Sequence, residues 1–338
     1  MAGFILIASS LILFAPTALA QDPASVPAAL TVGFYNIENL FDTVDDPTTI
    51  DEEFLPNGAN QWTEARYRTK LDNMARVIAG FMPDILGLCE IENRRVLQDL
   101  ATHPLLRSQG YQIAHFDMDD ARGVDVALFY RPKVFKPFRI VRLPIRDPEE
   151  PGFRTRDILW VKGLSHGDTL HVAVNHWPSR RGIKEDKRLL AGTVARRAVD
   201  SVMRIFPGAR MMFMGDFNDD PSNRSIRKIL LAGDDRERAG SLINLSEPTF
   251  RKGYGTLAYD GVWNLFDQII VSRPLTQAGL IQVLPESFTV FAPKWMQEES
   301  GTYKGMPKRT FRNGAFNPEG YSDHFPVFVK LVVNSPTR

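Results

Sequence analysis

Four apolar runs in this chain end abruptly in carboxylate, amide or imidazole side chains, and a fifth begins directly after such residues. Short apolar runs of this kind predict buried strands. Rigid strands that present oxygen and nitrogen atoms at one edge of a sheet form a preorganised site. The pattern therefore predicts a sheet protein whose chemistry is gathered at the strand ends. The polar residues stand at positions 36–39, 90–93, 175–178, 216–221 and 321–324.

The remaining chain alternates strand and helix patterns, which indicates α/β layering. Apolar residues at helical spacing predict helices over residues 64–81 and 184–206, and Thr63 is placed to cap the first of them. Many strands connect through hairpin-length loops, which favours antiparallel or mixed sheets. The predicted strands cover residues 31–35, 85–91, 124–130, 140–143, 157–164, 170–175, 210–214, 266–272 and 325–332.

The composition of the 338-residue chain is that of an ordinary globular protein, with 43% hydrophobic and 24% charged residues. These values exclude wholesale disorder, a coiled coil and a collagen-like chain. A net charge of +1 provides no global attraction to nucleic acid or to a membrane, so a local cluster must hold any anionic substrate. No repeat or low-complexity linker divides the chain, and we expect a single domain over residues 21–338.

The first 20 residues are typical of a targeting segment. Residues 4–14 are almost continuously apolar, and Ala18 and Ala20 are small residues of the kind that a signal peptidase reads. We predict a signal peptide over residues 1–20 and a mature protein that is exported to the periplasm or outside the cell. An uncleaved membrane anchor is the alternative, although the apolar run is short of the roughly 20 residues that a span needs. We expect no transmembrane span in the mature chain.

The residue types at the strand ends indicate the kind of ion that they would bind. Glutamate, aspartate and asparagine oxygens suit hard cations such as Mg²⁺ or Mn²⁺. Zinc prefers histidine and cysteine, and the six histidines and one cysteine of this chain have no zinc-ligand spacing. That cysteine, Cys89, lies inside an apolar run, so we expect a buried small hydrophobe rather than a nucleophile.

Six ordered motifs stand in this chain. They are Asn-Ile-Glu-Asn-Leu-Phe-Asp at 36–42, Gly-Leu-Cys-Glu-Ile-Glu-Asn at 87–93, Asn-His-Trp-Pro-Ser-Arg at 175–180, Gly-Asp-Phe-Asn-Asp-Asp-Pro at 215–221, Phe-Asp-Gln at 266–268 and Ser-Asp-His-Phe-Pro-Val at 322–327. They resemble the motifs of the endonuclease/exonuclease/phosphatase superfamily, in particular its exported bacterial branch. Each single motif is common by chance, but six in the right order at predicted strand ends are specific. The resemblance extends from about residue 31 to residue 333.

The resemblance implies a four-layered α/β sandwich of the deoxyribonuclease I type, in which helices flank two mixed or antiparallel central sheets and the site lies at one end of the sheets. It also implies metal-dependent hydrolysis of phosphate esters. By this resemblance Glu90 is the principal metal ligand, and Asn36 and Asp323 lie close to the metal.

The same resemblance implies roles for five further residues around the substrate. Asp216 and Asn218 match a pair that orients the attacking water and a phosphate oxygen. Asp267 and His324 match a carboxylate–imidazole pair. His176 matches a second histidine beside the scissile phosphate.

The chemistry of such a reaction requires residues of these types. A phosphodiester is anionic and repels hydroxide, so its hydrolysis needs charge neutralisation and an aligned nucleophile. A divalent ion on Glu90 would neutralise charge and polarise the phosphoryl oxygen. Asp267 would fix the tautomer of His324 and raise its pKa, which favours a charged imidazolium. We expect Asp216 to hold the attacking water, and the sequence leaves open whether His324 is instead the base.

Arginines near the motifs are candidates for substrate contact, since an arginine fork clamps a phosphate well. We single out Arg156, and then Arg180, as substrate-binding residues. Solvated surface charge is the alternative for each. A further basic group stands in the aromatic-rich segment 285–320, which would form either a wall beside the site or an ordered structural loop: Lys304, Lys308, Arg309 and Arg312.

The leading hypothesis is an exported Mg²⁺- or Mn²⁺-dependent phosphoesterase, and within that class a nuclease or related phosphodiesterase that acts on nucleic acid. A sphingomyelinase- or inositol-phosphatase-like enzyme is the alternative within the same chemistry. A non-catalytic binding module on the same fold is the alternative of another class, and the intact motif residues argue against it. No stable protein partner is predicted.

Overall fold

The computed structural model describes residues 28–182, 184–233, 240–259 and 261–334. The signal peptide predicted at residues 1–20 lies outside this part of the chain. Among the helices of the described residues, none combines the length and the apolar character that crossing a membrane requires.

Strands make up most of the regular structure. In chain order they are β1 (Ala28–Leu40), β2 (Ile85–Ile91), β3 (Gln112–His115), β4 (Asp125–Tyr130), β5 (Lys136–Leu143), β6 (Ile158–Ser165), β7 (Asp168–His176), β8 (Arg210–Asp216), β9 (Ala232–Gly233), β10 (Leu242–Asn244), β11 (Leu257–Tyr259), β12 (Val262–Asn264), β13 (Asp267–Ser272), β14 (Ile281–Val283), β15 (Thr289–Val290), β16 (Phe311–Arg312), β17 (Ala315–Phe316) and β18 (Val327–Val333).

Two large sheets and two short ribbons contain these strands. One sheet has the order β14–β18–β1–β2–β4–β3, with β15 also paired to β18, and the other has the order β5–β6–β7–β8–β13–β10–β9. The pairs β1–β2, β7–β8 and β9–β10 are parallel and the remaining neighbours are antiparallel, so both sheets are mixed. The ribbons are β11–β12 and β16–β17.

Helices cover the outer faces of both sheets. The longest helix, α3 (Glu185–Ile205), has a buried stripe that packs on the sheet containing β5 to β9. The helices α1 (Glu64–Phe81) and α2 (Arg94–Thr102) pack on the other sheet. Asn93 caps α2 by accepting the backbone N–H groups of Arg95 and Val96. A π-helical turn, Ser225–Ile229, packs against α3. The helices are α1 (Glu64–Phe81), α2 (Arg94–Thr102), α3 (Glu185–Ile205) and α4 (Glu247–Arg251).

The hydrophobic core between the two sheets is built from alternating side chains. In β1, Val32 and Phe34 face the opposing sheet, whereas Tyr35 and Ile37 pack beneath α1 and α2. Both faces of the strand are therefore buried, which explains its nearly continuous apolar sequence. Burial of each such side chain stabilises the fold by about 1.5–3 kcal/mol. Gly87 lets the sheets approach closely, because a Cβ atom there would lie 2.7 Å from Sδ of Met214.

This arrangement is the predicted four-layered sandwich, with helix, sheet, sheet and helix in that order. The predicted helices and strands are present, and Cys89 is fully buried as expected. Most ends shift by no more than two residues, but β5 begins at residue 136 rather than at residue 140. The larger difference is β1, which extends through the motif to Leu40 instead of ending at residue 35. It continues because a register shift between Asn36 and Leu40 preserves its pairing with β2.

Candidate active site

Strands from both sheets bring the motif residues to one end of the sandwich. In the strand register, Asp216 of β8 lies opposite His176 of β7 and opposite Asp267 of β13. In the other sheet, Asn36 of β1 pairs with Cys89, the residue before Glu90. The side chains meet across the gap between the sheets, where Nδ2 of Asn36 donates to Oδ2 of Asp216 at 3.1 Å.

The backbone at this end is strained. Glu38, Asn39, Glu90 and Asn218 have φ angles of 49°, 57°, 61° and 50°, which place residues with a Cβ atom in the left-handed region. Each costs of the order of 1–3 kcal/mol and persists only where the surroundings hold it. Glu90 lies at a register shift in β2, and its carboxylate accepts the backbone N–H of Asn39 at 3.0 Å. The strain thus falls on the residues that set the direction of the motif side chains.

Asn36 links the carboxylates of the two sheets. Its Nδ2 faces Oδ2 of Asp216 and also Oε1 of Glu90, at 3.1 and 3.4 Å. Its Oδ1 accepts the backbone N–H of Glu38 at 3.0 Å. The resemblance implied a place for Asn36 close to the metal. In the structure its amide nitrogen donates to the carboxylates of Glu90 and Asp216 and orients both.

His324 and Asp267 form a buried pair. Nδ1 of His324 lies 2.7 Å from Oδ2 of Asp267, and Nε2 lies 3.9 Å from both Oδ2 of Asp216 and Oδ1 of Asp323. Burial alone lowers the pKa of His324, but the charge and hydrogen bond of Asp267 outweigh it and hold the pKa well above its ordinary value. His324 is therefore an imidazolium at neutral pH, with Nε2 directed toward the neighbouring carboxylates.

Asp216 is the carboxylate at the centre of the site. Burial raises its pKa to about 7, and the positive charge of His324 opposes that rise. Its Oδ1 accepts the backbone N–H of Asn218 at 2.9 Å. Asn218 in turn donates from Nδ2 to the carbonyl of Trp177 at 2.9 Å, so its amide is held beside the site. A carboxylate whose pKa is close to neutrality is suited to exchange a proton with water at that pH.

His176 completes the cluster from β7. Its Nε2 lies 3.7 Å from Oδ2 of Asp216 and 3.9 Å from Oε1 of Glu90. Burial, and then the nearby charge of Arg156, hold the pKa of His176 well below its ordinary value. Its ring is therefore neutral at neutral pH, and its buried Nδ1 has no hydrogen-bond partner within the described residues. The two histidines therefore differ in charge, since His324 is positive and His176 is neutral.

The donor set of the cluster fits a hard divalent ion. Carboxylate oxygens of Asp216 and Asp267 lie within 4.8 Å of each other. Glu90 accepts hydrogen bonds from two neutral donors, Asn36 and Asn39, and among the described residues no lysine or arginine forms an ion pair with it. The charges of Lys70 and Arg309 act on Glu90 only through space. Carboxylate oxygens without a directly bonded cation suit Mg²⁺ or Mn²⁺.

The two arginines predicted to bind substrate have protein partners. Arg156 is 5% exposed, and its terminal nitrogens donate to Oδ2 of Asp120 at 2.7 Å and to the carbonyl of Trp177 at 2.9 Å. Arg180 donates to the carbonyl of Asn218 at 2.9 Å and lies over the ring of Phe266. Both arginines therefore support the loops around the site, and contact with substrate stays a prediction for each.

The sequence placed Arg309 in a basic group but did not predict that it joins other charged residues at one edge of the site. Glu38, Lys70 and Arg309 come together there although they are far apart in the chain, and Arg309 bonds Oδ2 of Asp323 at 3.1 Å. Glu38 lies inside the motif at residues 36–42, and this position was the sequence feature that could have identified it. Lys70 lies on a helix face that is otherwise apolar, and nothing local marks it.

The comparisons with known proteins agree with this architecture. A model of the Endonuclease/Exonuclease/phosphatase family matches residues 31–333. A Bacteroides thetaiotaomicron protein of that family has a similar structure, with 20% identity, a TM-score of 0.56 and coverage of 91% of this chain and 99% of that one. A mannosyl-6-phosphatase from the same organism is similar at 19% identity and a TM-score of 0.57, over 90% of this chain and 99% of that one.

A third similar structure is a humanized D. rerio TDP2 that carries 14 mutations, with 15% identity, a TM-score of 0.56 and coverage of 91% and 99%. No curated protein sequence matches significantly. At these identities the structures establish the fold, whereas the family match covers nearly the whole described chain. The chain therefore belongs to the endonuclease/exonuclease/phosphatase family, whose members are divalent-metal-dependent phosphoester hydrolases.

Proposed function

We propose that this protein is an exported phosphodiesterase, dependent on Mg²⁺ or Mn²⁺, that hydrolyses phosphodiester bonds of nucleic acid by attack of water. The observation that carries the proposal is the placement of Nε2 of His324. It is backed by Asp267 at 2.7 Å and lies 3.9 Å from Oδ2 of Asp216. A protonated imidazole and a carboxylate of near-neutral pKa thus face the same space, which is what in-line attack on phosphorus needs.

Glu90 is the residue that would hold the ion, and Asp323, whose Oδ2 is bonded to Arg309, would lie near it. When bound, the ion would neutralise phosphate charge and polarise the phosphoryl oxygen. Asn36 keeps Glu90 and Asp216 oriented through its amide nitrogen. This division leaves the proton of the attacking water to a side chain of the protein.

His324 and Asp216 divide the proton chemistry in this proposal. His324, held protonated by Asp267, donates one hydrogen bond from Nε2 to a phosphate oxygen and stabilises the charge that develops there. Asp216 accepts a proton from the attacking water, since its pKa of about 7 leaves much of it ionised at neutral pH. As the water oxygen bonds to phosphorus the ester P–O bond breaks, and the leaving alkoxide takes up a proton from solvent. Asn218 and the neutral His176 orient the phosphate from the opposite side.

Export of a single mature domain is also part of the proposal. The support for export is the apolar segment 4–14, which is followed by Ala18 and Ala20. Expression of the full chain in a bacterial host, followed by fractionation and mass determination of the N-terminus, tests it. Cleavage after Ala20 is expected. A chain that keeps residues 1–20 in the membrane fraction would contradict the proposal.

The substrate is tested with a panel assayed on the mature chain in Mg²⁺ and in Mn²⁺. The panel contains plasmid DNA, RNA, bis-p-nitrophenyl phosphate, sphingomyelin and inositol phosphates. It also contains mannose 6-phosphate, because one structural neighbour is a mannosyl-6-phosphatase. Turnover of DNA, RNA and the diester above that of the monoesters is expected. Preference for a sugar phosphate or for sphingomyelin would overturn the assignment to nucleic acid. Absence of turnover for every ester would overturn the assignment as a phosphoesterase.

A further inference from the structure

One edge of the site already contains a fixed cation. Nη2 of Arg309 lies 3.0 Å from Oε1 of Glu38 and 3.1 Å from Oδ2 of Asp323. Nε of the same guanidinium lies 3.1 Å from Oε1 of Glu38. Two carboxylate oxygens, one from β1 and one from the segment before β18, thus face one nitrogen atom. A divalent cation also selects carboxylate oxygens.

The other contacts of Glu38 hold that carboxylate in place. Oε2 of Glu38 accepts the backbone N–H of Thr310 at 2.7 Å. The buried ammonium of Lys70 donates to Oγ1 of Thr310 and to the carbonyl of Tyr321, and its charge acts on Glu38. The charges of Lys70 and Arg309 therefore both act on Glu38.

The contrast with Glu90 divides the site into two halves. Glu90 is bonded by neutral amides, and among the described residues no lysine or arginine pairs with it. Glu38 and Asp323 are bridged by a guanidinium that is charged at every working pH. A divalent ion gains most where the negative charge has no fixed partner, which is the Glu90 half.

We propose that Arg309 is a resident cation that fills the place of a second divalent ion, so that the site binds one ion, at Glu90. Arg309 acts through Glu38 and Asp323 and is a positioning residue. The inference rests on the proposed metal dependence. It goes further by assigning the number of ions and the residue that determines it.

The test is a Mn²⁺ titration without substrate, followed by isothermal calorimetry and by the loss of the free-ion paramagnetic resonance signal. His115, Asp117 and Asp125 form the other described cluster able to hold an ion, so every protein carries Asp125→Asn. One ion is expected for the otherwise unchanged chain and two for Arg309→Met. Arg309→Lys keeps the charge and is expected to bind one.

The matched control is Arg312→Met. Arg312 lies three residues further along the same segment, bonds Glu298 at 3.1 Å and lies over the ring of Tyr303. It carries the same charge but is not bonded to Glu38 or Asp323, so its replacement is expected to leave one ion.

Circular dichroism and the unfolding midpoint in EDTA show whether each variant folds. If Arg309→Met is unfolded, Arg309→Gln takes its place, because it keeps a hydrogen-bond donor without the charge, and it is also expected to bind two ions. Two ions in the chain that retains Arg309, or a single ion in the folded uncharged variant, would overturn the inference. Absence of any bound ion in the parent chain would overturn the metal dependence itself, so the two failures are distinguishable.

Discussion

Nδ1 of His324 lies 2.7 Å from Oδ2 of Asp267, and both side chains are almost completely buried. The pair joins the segment before β18 in one sheet to the start of β13 in the other, 57 residues apart. Oδ1 of Asp267 has no hydrogen-bond partner within the described residues. The charge of Asp267 is therefore directed at a single partner, the imidazole, and the ring is held protonated.

Replacement of Asp267 by Asn is expected to lower kcat by about 10²-fold or more, in the range of positioned acid–base groups. It is also expected to shift the pH profile. Asp267 raises the pKa of His324, so activity that needs the imidazolium is lost as pH rises through that pKa, and in Asp267→Asn this loss begins at lower pH. The measurement is kcat/KM for bis-p-nitrophenyl phosphate against pH. Asp72→Asn, which breaks the surface pair of Asp72 with His103, is the control and is expected to change neither value.

His324→Ala and Asp216→Ala are each expected to lower turnover by about 10²-fold or more. The double variant His324→Ala with Asp267→Asn is expected to be no slower than His324→Ala alone, because Asp267 acts through the imidazole. His166→Ala, in the exposed turn between β6 and β7, is the control. Near-normal rates in both single variants would contradict the proposed mechanism.

Removal of the divalent ion is expected to abolish activity, which Mg²⁺ or Mn²⁺ then restores, because the site presents oxygen ligands. Glu90→Gln is expected to raise the Mn²⁺ concentration for half-maximal activity by at least about tenfold, a change of about 1.4 kcal/mol in binding. Glu92→Gln is the matched control, since the carboxylate of Glu92 accepts the backbone N–H of Asp42 at 2.5 Å. Full activity of the unchanged chain in EDTA would contradict metal dependence.

His171, which lies outside the candidate active site, is expected to make the free energy of unfolding depend on pH. Burial, and then the charge of Lys162, lower the pKa of His171 to about 4, and its Nδ1 accepts the indole N–H of Trp160 at 3.1 Å. The unfolded imidazole titrates near 6.5, so the neutral ring stabilises the fold above pH 6.5, and this stability is lost as pH falls toward 4.

The loss amounts to about 3 kcal/mol at most. His171→Asn keeps a hydrogen-bond acceptor for Trp160 and removes the titration, so its free energy of unfolding is expected to fall less between pH 6.5 and pH 4. Urea unfolding at a series of pH values in EDTA measures this difference. Parallel pH dependence in the two proteins would show that His171 does not carry the effect.

Local pattern indicated the α/β layering, the mixed sheets and the polar strand ends, and the resemblance of the motifs added the four-layered sandwich and the roles of the site residues. Strand and helix patterns depend on the spacing of apolar residues along the chain, and burial on both faces of β1 and β2 makes their sequences nearly continuous runs. The motif residues could be found for the same reason, because each follows or precedes such a run. Asn36, Glu90, Asp216 and His324 were identified in this way, whereas Asp267 was identified through the resemblance of its motif. All five meet at one end of the sandwich.

Only the tertiary structure decided which partner each polar group has. The left-handed backbone at Glu38 and Glu90 depends on a register shift between strands, and Glu38 meets Arg309 across 271 residues. Arginine is a residue type that binds phosphate, yet the terminal nitrogens of Arg156 donate hydrogen bonds to Asp120 and to the carbonyl of Trp177. Charge pairing and desolvation act through space at distances of a few ångströms, and the order of residues along the chain does not contain those distances.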